Sequence, residues 1–194
     1  MAKMLTFYLS RALGRKIILP DGSVIGKIKD FLVDFEMTKP KITALKTIIN
    51  KKEIYIDIAQ IEVSKLNGQY MFLCKELVEY SIPANGDYLD LKENFLDRQL
   101  VDINGRKLVR VNDIRIAIVP SGMFTVAVDV GMEGLLRRIG VAKPIRVVLK
   151  PLSVNIPSKF ILWDDVEAVD FTNFNVRLTK SSVKLKTLHP SDLA

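Results

Sequence analysis

A chain of 194 residues, 48% hydrophobic and 26% charged, has the balance of a soluble globular protein, with enough length for one large domain or two small ones. No run of about eighteen residues lacks a charge or a breaker, which argues against a membrane-spanning helix, and the single cysteine, Cys74, excludes an internal disulfide and points to a reducing cytoplasm. The formal net charge of +7 invites nucleic acid or acidic lipid as a partner; the plainer reading is that lysines solubilise a β-rich surface and guard its strand edges.

The start, "MAKMLTFYLSRALGRK", has no continuous apolar core and no small-residue cleavage site, so it is not read as a signal peptide. Next, "RKIILPDGSVIGKIKDFLVDFE" places Ile17 before, and Val24, Ile28 and Phe31 after, a turn built on Asp21-Gly22, a dipeptide suited to a two-residue hairpin turn. Gly26 interrupts the alternation inside a strand, where a bulge or tight bend is the usual reason. "KITALKTII" then alternates at period two, giving one half-buried face. "EIYIDIAQIEVSKLNGQYMFL" closes this unit, returning through Asn67-Gly68, with Cys74 read as a core residue at its end.

From Leu96 the pattern begins again. "LGRKIILPDGSVIGKIKD" and "LDRQLVDINGRKLVRVND" superpose without a gap at a spacing of 83 residues, sharing Leu13/Leu96, Arg15/Arg98, Gly22/Gly105 and Asp30/Asp113. Asn104-Gly105 stands where Asp21-Gly22 stood, and "MFTVAVDVG" answers "KITALKTII". The second unit ends in "KFILWDDVEAVDFTNFNVRL", where Trp163 aligns with Ile58 at a larger spacing, so about twenty-two residues have been inserted. Within that insertion Met132, Leu135, Leu136 and Ile139 form one apolar stripe of a short helix, ended by Gly140. The fold class expected is therefore mainly β, two small antiparallel units in tandem, with a short helix inserted in the second.

"YLSRALGRKIILPDGSVIGKIKDFLVD" resembles the opening of a PRC-barrel domain: Leu-x-x-x-Leu-Gly-x-x-Ile, a polar Asp-Gly turn, then Gly-Lys-Ile-x-Asp. "YLDLKENFLDRQLVDINGRKLVRVNDIRI" follows the same pattern with Asp97 for Gly14 and Val109 for Gly26, and "ILWDDVEAV" resembles the closing strand. The resemblance implies two PRC-barrel-like small antiparallel β-barrel domains: residues 1–82, and residues 83–180 with the helical insertion at 131–157. The tail "LHPSDLA", Leu188 to Ala194, is similar to the first turn of the helical N-terminal domain of MgtE-type magnesium transporters, so residues 181–194 are expected to be a linker and the start of that domain.

For nucleophilic catalysis the inventory is poor: the one histidine, His189, lies in the tail, and there is no zinc-ligand spacing, phosphate loop or dinucleotide fingerprint. The expectation is a protein that is not an enzyme and has no small-molecule substrate. Asp164, Asp165, Glu167 and Asp170 crowd one stretch and offer oxygen ligands to a hard cation such as magnesium; alternatively Asp164 and Asp165 form a turn and the others face water. No cofactor is expected in this chain, and any magnesium belongs to the full-length protein. Arg137, Arg138, Lys143, Arg146, Lys150 and Lys159 form a basic strip on the insertion, read as a docking surface for protein first, an anionic membrane second and RNA third.

The function these resemblances imply is a cytoplasmic, non-enzymatic regulatory or protein-interaction module of an MgtE-like magnesium transporter or its soluble relative. Its partners would be other domains of the same full-length chain, a separate protein or a second copy in a homodimer. The alternative is an RNA-processing adaptor like the ribosome maturation factor RimM, whose PRC barrel binds a ribosomal protein. A structural subunit like the photosynthetic reaction-centre H subunit ranks third.

Overall fold

The computed structural model describes residues 5–35, 40–104, 107–131, 135, 159–163 and, for the backbone, 166–168. In chain order these form β1 (Leu5–Tyr8), α1 (Leu9–Ala12), β2 (Lys16–Ile18), β3 (Val24–Lys27), β4 (Asp30–Asp34), β5 (Lys41–Ile49) and β6 (Lys52–Asp57). A 3-10 turn at Ile58–Gln60 leads to β7 (Ile61–Leu66) and β8 (Gln69–Cys74). Then come β9 (Tyr88–Asp90), α2 (Leu91–Phe95), β10 (Gln99–Asp102), β11 (Lys107–Arg110), β12 (Asp113–Val119), β13 (Gly122–Asp129), β14 (Phe160–Leu162) and β15 (Val166–Ala168). The protein is mainly β, as the alternating runs predicted, and among the described residues its pairings are antiparallel except for β2 with β8. No helix among the described residues is long and apolar enough to cross a membrane. The helix expected within 131–157 falls almost wholly outside the described residues.

The Asn67-Gly68 turn follows the sequence, two other turns differ from it, and the turn expected at Asn104-Gly105 includes Gly105, which lies outside the described residues. Asn67 (φ 49°) and Gly68 (φ 78°) are both left-handed, the pairing that matches the twist of a two-residue hairpin. The loop expected at Asp21-Gly22 instead has three residues, because Pro20 joins it: the Gly22 N–H donates to Leu19 O and the Leu19 N–H to Ser23 O, each at 2.9 Å. The β5–β6 turn carries no turn dipeptide with glycine: Asn50 (φ 51°) and Lys51 (φ 67°) are left-handed there.

The 83-residue spacing reappears as geometry. The Gly14 N–H donates to Ile28 O (2.8 Å) and the Asp97 N–H to Val111 O (2.9 Å). Ile28 N–H donates to Arg15 O and Val111 N–H to Arg98 O, both at 2.9 Å. β4 against β5 slips register between Leu32 and Val33, and β12 against β13 slips between Arg115 and Ile116, the equivalent step. Gly14 (φ 76°) and its counterpart Asp97 (φ 66°) share a left-handed backbone, so replacing the glycine in the second copy left the conformation in place.

The largest sheet belongs to both copies. It runs β1-β12-β13-β5-β4-β9, with β6 on β5 and β14 on β13, and so crosses the boundary at residues 82 and 83. At its centre Lys41 of β5 faces Phe124 of β13, its own equivalent, as a local twofold axis requires. The two leaders are exchanged about this axis: β1, ahead of the first copy, pairs with β12 of the second, while β9, ahead of the second, pairs with β4 of the first.

Each exchange is pinned by the same aspartate. Asp30 Oδ1 accepts from the Lys92 N–H (2.7 Å) and the Phe31 N–H (2.7 Å), and its Oδ2 accepts from the Glu93 N–H (3.1 Å). Asp113 Oδ1 accepts from the Ser10 N–H (3.1 Å) and its Oδ2 from the Ser10 hydroxyl (2.6 Å). A carboxylate from one copy thus satisfies the first-turn donors of the other copy's leader helix, which have no partner within so short a helix.

The core is continuous across the two copies. Phe7 of β1 packs 6.3 Å from Phe31 and 5.8 Å from Phe72 of the first copy, although its backbone bonds to β12 of the second. Phe95 of α2 lies 5.2 Å from Phe35 and 5.3 Å from Trp163, one ring from each copy. Fully buried Phe7, Leu9 and Leu91 on the leaders contribute roughly 1.5–3 kcal/mol each.

Candidate interaction groove

Of the candidate metal ligands, Asp164, Asp165 and Asp170 lie outside the described residues, and Glu167 is placed only by its backbone, in β15 opposite Val101. Among the described residues no group of three or more His, Cys, Asp or Glu side chains is arranged to hold a metal ion. In the basic strip, Arg137, Arg138, Lys143, Arg146 and Lys150 also lie outside the described residues. Lys159 is described: its Nζ lies 3.6 Å from Asp102 Oδ2. The same ammonium, by hydrogen bond and like charge, lowers the pKa of the neighbouring Lys107.

A different cationic surface is built in the first copy, around β3. A groove of about 400 Å³, open on its solvent side, is lined by Lys16, Val24, Ile25, Gly26, Lys27, Lys29 and Ile48. Among the described residues β3 ends its sheet, pairing with β2 alone, and Gly26 brings it down onto β5. A Cβ at Gly26 would lie 2.5 Å from Thr47 Oγ1 and 3.3 Å from Ile48 O, so glycine is required by close approach. The buried Thr47 hydroxyl fastens the crossing by donating to Lys27 O at 2.9 Å. Val24 (50% exposed) and Ile48 (39%) present aliphatic surface beside the three lysines.

The sequence contained the signal for this groove, a pattern-breaking glycine followed by Lys27 and Lys29. It did not show that β5 passes beneath, because that contact joins elements that the periodicity treats separately.

A second polar cluster lies where β9 meets β4 and β5. Lys46 Nζ contacts Asp90 Oδ2 (3.0 Å) and Glu53 Oε2 (3.3 Å), and the Tyr55 hydroxyl donates to the same Asp90 oxygen at 3.0 Å. Burial opposes the Lys46 charge, but the hydrogen bonds the ammonium donates to Asp90, Tyr55 and Glu53, together with the Asp90 charge, outweigh it and hold the ammonium above its ordinary value. Burial raises the Tyr55 hydroxyl in turn. Burial also pushes Asp30 up to about 6, against the pull of its three N–H donors and with the help of the Asp90 charge. Among the described residues Asp90 Oδ1 is buried without a hydrogen-bond partner. This arrangement ties the exchanged leader to β5, and Lys46 is already engaged by two carboxylates. Cys74 is likewise inert, buried, with a thiol raised by burial and donating to Glu76 O at 3.0 Å.

No protein-family model matches the chain, and no curated protein matches it either.

Proposed function

We propose that this chain is a non-enzymatic protein-interaction module, built as two PRC-barrel-like β-barrels, that regulates an MgtE-like magnesium transporter or a soluble relative of one. The observation that carries the interaction role is the groove on β3: a solvent-open surface with aliphatic side chains and three lysines suits a macromolecular partner better than an enclosed substrate. The link to MgtE-type proteins rests on the resemblances of the two openings and of Leu188 to Ala194. Magnesium sensing would then reside, as the resemblance to MgtE-type transporters implies, in their helical domain and in the CBS domains that accompany it, and this module would report or relay their state by contact.

The test is calorimetric titration of the chain with the helical and CBS region of an MgtE-type protein from the same genome, with and without magnesium. The expected result is saturable binding whose affinity differs between the two conditions. Absence of binding in both would overturn the reading, and saturable binding to a ribosomal protein instead would favour the RimM-like role.

A further inference from the structure

The two copies share a skeleton, so the second serves as an internal reference for the groove of the first. At the spacing of 83 residues, Lys16, Lys27 and Lys29 correspond to Gln99, Arg110 and Asn112, and Gly14 corresponds to Asp97. In the second copy Arg110 is neutralised: its Nη2 lies 2.6 Å and its Nε 3.2 Å from Asp97 Oδ1. Asn112 is turned inward, buried, and donates from Nδ2 to Gly131 O at 3.0 Å. Lys107 replaces Val24 there, but it sits beside Lys159 and near Asp102, so a carboxylate is again at hand.

The first copy differs at each of these points. Gly14 offers no carboxylate to Lys27, and Lys29 is exposed where Asn112 is buried. Among the described residues, no carboxylate forms an ion pair with Lys16, Lys27 or Lys29. Three unneutralised ammonium groups therefore border one groove, next to Val24 and Ile48, on a backbone whose equivalent elsewhere in the molecule is balanced.

We infer that this groove is a docking site for an acidic peptide segment, one that alternates carboxylates with large aliphatic side chains. Carboxylates meet Lys16, Lys27 and Lys29, and aliphatic side chains cover Val24 and Ile48. The lysines supply charge complementarity and speed of encounter, while the aliphatic contacts supply the part of the affinity that salt does not screen. A nucleic acid would leave the aliphatic surface unused and find no aromatic ring in the lining to stack on. The inference gives the interaction role proposed above a partner chemistry and a place, and it does not depend on whether the partner is MgtE-like.

The test is fluorescence anisotropy of a labelled peptide of alternating Glu and Leu, titrated with the whole chain. The comparisons are the same peptide with Lys for Glu, phosphatidylserine vesicles and single-stranded oligo(U). The variants are Lys16→Glu/Lys27→Glu/Lys29→Glu, the milder Lys16→Gln/Lys27→Gln/Lys29→Gln, Ile48→Ser, and Lys92→Glu as a charge reversal elsewhere, each checked for an unchanged unfolding midpoint. The expected result is saturable binding of the acidic peptide, weakened roughly tenfold or more by either triple substitution, weakened by Ile48→Ser and unaffected by Lys92→Glu.

No saturable binding, or equal binding by the triple variants and the wild type, overturns the inference. Preference for vesicles or oligo(U) through the same lysines overturns it as a peptide site. If the peptide binds but the helical and CBS region does not, the transporter reading fails and the groove stands; the reverse pattern removes the groove and leaves the transporter reading.

Discussion

Substituting Gly26 by alanine should destabilise the protein, and the sign is informative because elsewhere the same change does the opposite. Where the backbone is not left-handed and space is available, Gly→Ala stabilises by about 0.4–1 kcal/mol by restricting the unfolded chain. At Gly26 the new Cβ would stand 2.5 Å from Thr47 Oγ1 and 3.3 Å from Ile48 O. Thr47 is fully buried and cannot rotate away without abandoning its bond to Lys27 O. Forced overpacking of this kind costs about 1–3 kcal/mol. Thr47→Ala alone gives up that hydrogen bond, about 1 kcal/mol, but vacates the space the Cβ needs. The double variant should therefore be more stable than the sum of the two changes by about 1–2 kcal/mol, whereas Thr47→Val, which keeps an atom near the Oγ1 position, should not rescue. Urea titrations of the four proteins, with unchanged m-values, give the coupling directly. Additivity within about 0.5 kcal/mol, or stabilisation by Gly26→Ala alone, would refute the close approach of β3 to β5.

The remaining expectations concern the backbone and the buried carboxylate. Lys51→Gly relieves a left-handed lysine (φ 67°) in the β5–β6 turn and should give a net gain of about 0.5 kcal/mol, read as a small rise in the thermal midpoint; a fall would refute the turn. Gly14→Ala meets no atom within 4 Å, so its cost, about 1–2 kcal/mol, comes from φ alone (76°), and an unchanged urea midpoint would contradict it. Asp30, raised from 3.8 to about 6 in the fold, binds its proton more tightly folded than unfolded. Its contribution to stability is full below 3.8 and declines as pH rises through about 6. Asp30→Asn should flatten the pH dependence of the urea midpoint across that window, and an unaltered profile would show that another group sets it.

The parts of this fold legible in sequence were those set by neighbours along the chain. Period-two runs located β5 and β13, positive-φ dipeptides located the β7–β8 turn, and the 83-residue register foretold the matching aspartates. The short helices α1 and α2 gave no signal, because four or five residues carry no helical period. Nor could register show that Asp30 and Asp113 bind the leader of the opposite copy, since a duplicated sequence is identical whether its ends stay home or exchange. The Asn50-Lys51 turn escaped because lysine is a poor left-handed residue and is tolerated there only by the ladder closing at Ile49 and Lys52. For the groove, sequence supplied the lysines and Gly26 but not their lack of counterions, which depends on which carboxylates the fold brings near.

Exchange of the leaders makes a last prediction about cutting the chain between residues 82 and 83. The first half alone would lose the β4–β9 ladder, in which Leu32, Val33 and Asp34 pair with Asp90, Leu89 and Tyr88, along with the donors from Lys92 and Glu93 that Asp30 satisfies. It would also lose Leu91 and Phe95, buried side chains contributing roughly 1.5–3 kcal/mol each. The second half would lose β1, Ser10 and the packing of Leu9 in the same way. Set against a total stability of about 5–15 kcal/mol for a domain, these losses are large enough that neither half should hold the native sheet by itself. Each would also bare an unpaired strand edge that invites association. Residues 1–82 and 83–194, prepared separately, should therefore show weak or no cooperative unfolding and should regain the spectrum and stability of the intact chain on mixing in equal amounts. A monomeric 1–82 fragment with the full cooperative transition would mean that the leader contacts are dispensable, and the two copies would then have to be treated as independent folding units that merely share a sheet.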